Sequence, residues 1–125
     1  METTQSIPTV LVLAHRSLLS GGIASTLREY ENVFNVRLID NDSVNFSETI
    51  QTESPSIIIL DAGDSDVFQK TPVTQLLEWA PNAKIIRLDL SSDRIRIFSS
   101  IELQVTHAVD LVGLIRLLSN AELNI

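Results

Sequence analysis

Three runs of apolar, largely β-branched residues set the tightest limit on what this chain can fold into. They are Thr9-Val10-Leu11-Val12-Leu13-Ala14, Ser56-Ile57-Ile58-Ile59-Leu60-Asp61 and residues 84–90, which carry Ile85, Ile86 and Leu88. A strand with one wet face alternates apolar and polar residues. A continuous run needs cover on both faces. The cover is written between the runs at helical spacing. Leu19, Ile23, Leu27 and Tyr30 form one stripe, and Val73, Leu76, Leu77 and Ala80 form a second. Ala108, Leu111, Val112, Ile115 and Leu118 form the last. Strands buried on both faces and alternating with amphipathic helices specify an α/β fold with a mostly parallel sheet.

The remaining segments fit that scheme. Residues 34–39 alternate apolar with polar, as an edge strand does. Asp40-Asn41-Asp42-Ser43 is a turn and cap cluster, and a short helix is expected over about residues 44–52. Ser17 is a candidate N-cap for the first helix. Gly21-Gly22 within that helix reads as a place of close packing on the sheet, because neither the P-loop nor the dinucleotide glycine pattern accompanies it. Thr71-Pro72 is a helix start, with Thr71 as N-cap and Pro72 in the first turn, and Pro81 stops that helix. Residues 94–98 and 101–105 both alternate with period two around Ser99-Ser100, so they are expected to pair with each other as a β-hairpin.

Composition narrows the functional classes. The chain has 125 residues, enough for one domain with a real core, expected over about residues 8–118. It lacks Cys, which excludes disulfides and thiolate metal sites. Nine basic residues against sixteen acidic ones give a net charge of -7. Tracking a nucleic-acid backbone or an anionic membrane calls for the opposite sign. No apolar run approaches the ~20 residues of a membrane span, and residues 1–6 lack a signal-peptide pattern. The expectation is a cytoplasmic domain with no nucleic acid or membrane partner.

In α/β sheets ligands gather at the carboxyl ends of the strands. That rule singles out Ala14, His15, Asp61, Asp89, Thr106 and His107. Asp61 is either a reactive carboxylate or a strand-end acid that caps loop amides. Arg87, in the middle of a strand, either pairs with Asp61 or Asp89 or extends its head to water. Trp79 reads as core or rim. Asp64 and Asp66 form an acidic loop that lacks the rest of a calcium site and disfavours a phosphate ligand.

The stretch Leu13-Ala14-His15-Arg16-Ser17-Leu18-Leu19-Ser20-Gly21-Gly22-Ile23 resembles the opening of a response-regulator receiver domain. The run from Pro55 to Asp61 resembles the receiver strand that ends on the phosphoacceptor Asp. The segment Pro81-Asn82-Ala83-Lys84-Ile85-Ile86-Arg87-Leu88 resembles the next strand and its lead-in. The resemblance implies a flavodoxin-like three-layer sandwich with Asp61 at the phosphoacceptor position and the fourth helix replaced by the hairpin.

The departures from that family fall on the chemistry. Receivers hold Mg²⁺ with two acids after the first strand, and here Ala14 and His15 stand there. Asp89 replaces the Thr or Ser that binds the phosphoryl group. Thr106-His107 or Ser99-Ser100 stand where a Lys-Pro is expected, and no Lys follows Lys84. Phosphoryl transfer to a carboxylate rests on positioning and charge neutralisation. The resemblance therefore implies a non-enzymatic pseudo-receiver with no cofactor and no metal, acting through protein contacts. The alternative is a working phosphoacceptor receiver that uses Asp61 in a divergent pocket. The expected interaction surface is the hairpin and last helix, with Arg94, Arg96, Phe98, Glu102 and Gln104 on it, and a homodimer through that surface is one expected form.

Overall fold

The computed structural model describes residues 7–14, 18–40, 44–61, 71–89, 92, 94–104 and 106–120, with backbone alone at 14, 18–21 and 120. Five strands form one sheet: β1 (Thr9–Ala14), β2 (Asn35–Asp40), β3 (Ile57–Asp61), β4 (Lys84–Asp89) and β5 (Arg94–Phe98). Four helices accompany them among the described residues: α1 (Leu18–Arg28), α2 (Phe46–Glu53), α3 (Val73–Trp79) and α4 (Ala108–Asn120). The strand order is β2-β1-β3-β4-β5. The first four strands are parallel and β5 runs antiparallel to β4. This is the mostly parallel α/β arrangement expected from the alternation, in the flavodoxin-like order that the resemblance implies, with a hairpin in place of one helical crossover.

The order explains which helix covers which face. The chain steps outward from β1 to β2, then returns past β1 to β3. Crossovers of one hand then put α1 on one face and α2 on the other. On the first face Val10, Val12 and Ile59 meet Ala24, with Ile23 and Leu27 beside them. On the second face Leu11, Leu13, Ile39, Ile58, Leu60 and Ile85 meet Phe46 and Ile50 of α2 and Leu76 of α3. Trp79 packs edge-on against Phe46, with ring centroids 5.9 Å apart, so it is a rim residue of this core. Arg37 on β2 forms an ion pair with Glu53 at the end of α2. Such exposed pairs contribute up to about 1 kcal/mol.

Helix ends follow local chemistry. α2 closes with Ser54 in the left-handed region (φ 46), and Pro55 bars any further turn. α3 begins one residue later than the Thr71-Pro72 signal predicts. Pro72 itself is the cap residue, with an extended ψ of 152, and it makes no side-chain cap bond. Thr71 is buried instead of capping. The cap expected at Ser17 lies outside the described residues.

Three expectations are corrected. First, residues 94–98 do pair in a hairpin, but with β4 and not with residues 101–104; residue 105 lies outside the described residues. Asp89 faces Arg94, Arg87 faces Arg96 and Ile85 faces Phe98. Residues 101–104 form no strand. Second, β4 is fully buried only at Ile85, while Ile86, Arg87, Leu88 and Asp89 are half-buried. α4 packs broadly on no strand or helix. Its Val109, Leu111, Val112, Ile115, Leu117 and Leu118 are exposed. Third, Gly22 serves no close packing: a Cβ placed there meets nothing within 4 Å.

That last observation makes a stability prediction. Gly22 lies inside α1, where Gly is less favourable than Ala by up to about 1 kcal/mol. With open space around it, Gly22→Ala is expected to stabilise the fold by roughly 0.5–1 kcal/mol, measured as a higher urea midpoint with an unchanged slope.

Candidate functional site

The carboxyl edge of the parallel strands gathers several of the residues singled out in the sequence. Asp61 ends β3 and is buried, at 8% exposure. Its position follows from the apolar run before it: Ile58, Ile59 and Leu60 are locked in the sheet, and the carboxylate sits where the strand stops. β1 and β3 pair through Val12 and Ile59. Two residues further on they reach Ala14 and Asp61. The acid and the position of the missing acid therefore close neighbouring central strands.

Register then sorts the charged residues by face. Asp61 pairs with Leu88 of β4, and Leu60 pairs with Arg87. Side chains alternate along a strand, so Asp61 lies on the α1 face while Arg87 and Asp89 lie on the α2–α3 face. Asp89 is thus set on the opposite face from Asp61. Across the hairpin it stands directly opposite Arg94. Arg87, Asp89, Ser92, Arg94 and Arg96 line one cavity of about 190 Å³.

The direction of β5 has a larger effect. Because β5 is antiparallel, its last residue, Phe98, pairs with Ile85 near the start of β4. The chain therefore leaves β5 at the amino-terminal edge of the parallel strands, away from Asp61. Ser99-Ser100, one candidate for the position of the missing Lys, lies there. Ser100 and Glu102 line a groove with Leu77, Glu78 and Pro81 of the α3 end. Phe98 packs against the α2–α3 core, while Arg94, Arg96, Glu102 and Gln104 are exposed.

Thr106 and His107, the other candidate pair, are exposed and occupied with a helix start. The Thr106 hydroxyl donates to Asp110 Oδ2 at 3.3 Å, and the His107 backbone N–H donates to the same oxygen at 3.2 Å. Asp110 is the third residue of α4 and reaches back to the residue before the helix, which is half of a capping box. His15, Asp64 and Asp66 lie outside the described residues. Among the described residues no three His, Cys, Asp or Glu side chains come together to hold a metal, and no helix is long and apolar enough to cross a membrane.

The largest cavity among those described, about 640 Å³, lies at the other end of the sheet. It is lined by Ile7, Arg28, Glu31, Asn32 and the first residues of β2. It is far from the strand ends where Asp61 sits, and its lining mixes one Arg with one Glu and no convergent reactive group. Comparison with family models, curated proteins and solved structures found no match, so fold and geometry carry the functional argument.

In the sequence Arg94 and Arg96 read together as one face of a hairpin strand, and Arg87 stands apart from them. The signal was there in their spacing: with Asp89 opposite Arg94, the antiparallel register brings all three arginines to one face. The role of Asp110 was also missed, although Thr106 and Asp110 stand four residues apart at a helix start. Replacing it tests the assignment. Asp110→Ala is expected to weaken the first turn of α4 by about 0.5–2 kcal/mol, seen as lower helical ellipticity and faster amide exchange over residues 107–111.

Proposed function

We propose that this chain is a degenerate receiver domain, a pseudo-receiver that signals through protein contacts and carries out no phosphoryl chemistry. The observation that carries the reading is the antiparallel β5. A receiver needs a cation delivered from the carboxyl end of its fifth strand. Here that strand ends at the opposite edge, and no Lys follows Lys84. Three further features support it. The sheet order is β2-β1-β3-β4-β5, Asp61 closes the central strand, and Ala14 occupies the place of a metal-binding acid.

The energetics favour loss of the reaction. One preorganised donor or cation at such a transition state is worth about 3–4 kcal/mol. Missing the acid pair for Mg²⁺, the hydroxyl and the Lys together removes several such contributions. Incubation with acetyl phosphate and Mg²⁺ is expected to leave the intact mass unchanged. A phosphoryl adduct on the wild-type chain that disappears in Asp61→Asn would instead establish the alternative, a working phosphoacceptor in a divergent pocket.

The interaction surface of this pseudo-receiver is the hairpin and the last helix. On the α1 face, Ile86 and Leu88 continue into Ile95 and Ile97, and the latter two are 63% and 52% exposed. α4 adds Leu111, Val112, Ile115 and Leu118 along one helical stripe. Each large apolar side chain removed from water contributes about 1.5–3 kcal/mol, less for those already half covered. Exposed apolar side chains clustered on one strand face and along one helical stripe support a protein contact. Self-association is the form we assign to it. The chain is expected to show a weight-average mass that rises with concentration in sedimentation equilibrium. Ile97→Asp and Ile115→Asp should each hold it at the 13.8 kDa of a single chain. A wild-type chain that stays at that mass at every concentration removes the self-association reading.

A further inference from the structure

We propose that two copies of this chain join through residues 94–104. In each copy β5 continues into one longer strand, which pairs antiparallel with the same segment of the other copy, with Ser99 on the two-fold axis. The pairing rests on the self-association assigned above to this surface and gives it a segment and a register.

The alternation keeps its phase through the whole segment. Ile95, Ile97, Ile101 and Leu103 occupy odd positions, and Arg94, Arg96, Glu102 and Gln104 occupy even ones. The pattern passes through Ser99-Ser100 unbroken, as it does along a single strand. A hairpin closed by a two-residue turn at Ser99-Ser100 would set Ile97 opposite Glu102 and Arg96 opposite Leu103. Each face would then mix apolar with charged side chains. The turn chemistry is missing as well. Tight hairpin turns need a positive φ, which neither Ser99 nor Ser100 adopts. These two facts account for the lack of a strand at residues 101–104 beside β5 in the single chain.

Both halves of the segment have open backbone. β5 is the last strand of the sheet order, so among the described residues only its inner edge is paired. An outer edge of this kind is a template for another strand. Phe98 pairs with Ile85, one residue from the start of β4 at Lys84. Residues 100–104 therefore lie past the end of the strand that β5 pairs with. Ser100 and Glu102 line the groove at the end of α3. Little holds the segment there, since Ile101 and Leu103 are 79% and 62% exposed. A second copy related by a two-fold axis offers a β5 edge to each 101–104 segment, and one contact implies the other.

The side chains match in this register. With the axis at Ser99, Ile97 of one copy stands opposite Ile101 of the other, and Ile95 stands opposite Leu103. The apolar pairs share the α1 face, where they extend the surface of Ile86 and Leu88. On the other face Arg96 stands opposite Glu102 and Arg94 opposite Gln104. Opposite charges across a strand pair are favourable and like charges are not. Pairing β5 with β5 about its own midpoint would set Arg96 of one copy against Arg96 of the other. The longer ribbon makes about ten main-chain hydrogen bonds, as many as a typical stable interface holds.

The chain has no Cys, so a single introduced thiol reports a single contact. Residues directly opposite in an antiparallel pair have Cα atoms about 4.5–5.5 Å apart, within disulfide reach. Ser99→Cys, mildly oxidised at a concentration where the chain self-associates, is expected to form a covalent dimer. Gln104→Cys lies on the same exposed segment, but its two copies stand roughly 30 Å apart in this register, and it is expected to crosslink far more slowly. In sedimentation equilibrium Glu102→Arg is expected to weaken the dimer about tenfold, and Arg96→Glu/Glu102→Arg to restore it. A wild-type chain that stays at 13.8 kDa at every concentration removes the self-association and the strand pairing together. A chain that self-associates while Ser99→Cys crosslinks no faster than Gln104→Cys overturns the strand pairing alone. So does a double variant that dimerises as weakly as Glu102→Arg.

Discussion

The backbone of β1 and β3 cannot reach water, and the rest of the structure is arranged around that fact. Leu11, Val12, Leu13, Ile58 and Leu60 are buried from both sides of the sheet. Every buried amide and carbonyl in these strands needs a partner, because an unpaired one costs about 1–3 kcal/mol. β1 therefore lies between β2 and β3, and β3 lies between β1 and β4. The same two-sided burial demands helices on both faces, which α1 supplies on one and α2 with α3 supply on the other. The acid at the end of β3 inherits its location from this: Asp61 stands where the innermost pairing stops.

Cover is complete over β1 and β3 and thins towards β5. On the α2–α3 face, Ile85 and Phe98 still join the core. On the α1 face the apolar surface continues through Leu88 to Ile95 and Ile97, and among the described residues no helix packs broadly over it. The helical crossover that the hairpin replaces would lie on the other face, beside α2 and α3. The two faces of the hairpin consequently differ in kind. One presents aliphatic side chains and the other presents three arginines around an acid. A strand with period-two alternation keeps these chemistries apart by geometry alone.

How far the sequence could be read depended on whether a feature was local. Continuous apolar runs exposed β1 and β3, since nothing but two-sided burial explains Ile57-Ile58-Ile59-Leu60 before an acid. The alternation in 94–98 was equally plain. The identity of its partner was not, because residues 84–90 and 101–105 both offer a neighbour within hairpin reach. The arginine cavity depended on that choice and stayed hidden with it. Gly22 was misread for a related reason: a helical stripe shows which residues face the sheet but not how closely the backbone approaches it. The last helix showed the opposite error. Its stripe was correct as a helix signal, but a stripe says nothing about what covers it.

The antiparallel β5 also bears on the order in which the chain assembles. Asp89 and Arg94 meet across a turn of a few residues, whereas Val12 must find Ile59 with a helix, a strand and another helix between them. Closing the short loop is entropically easier, and local pairings form sooner than distant ones. The hairpin is therefore a ready template at the edge of β3, while β1 must wait for β3, which follows it by a helix, a strand and another helix. The most apolar strand of the protein spends that interval with its edges open.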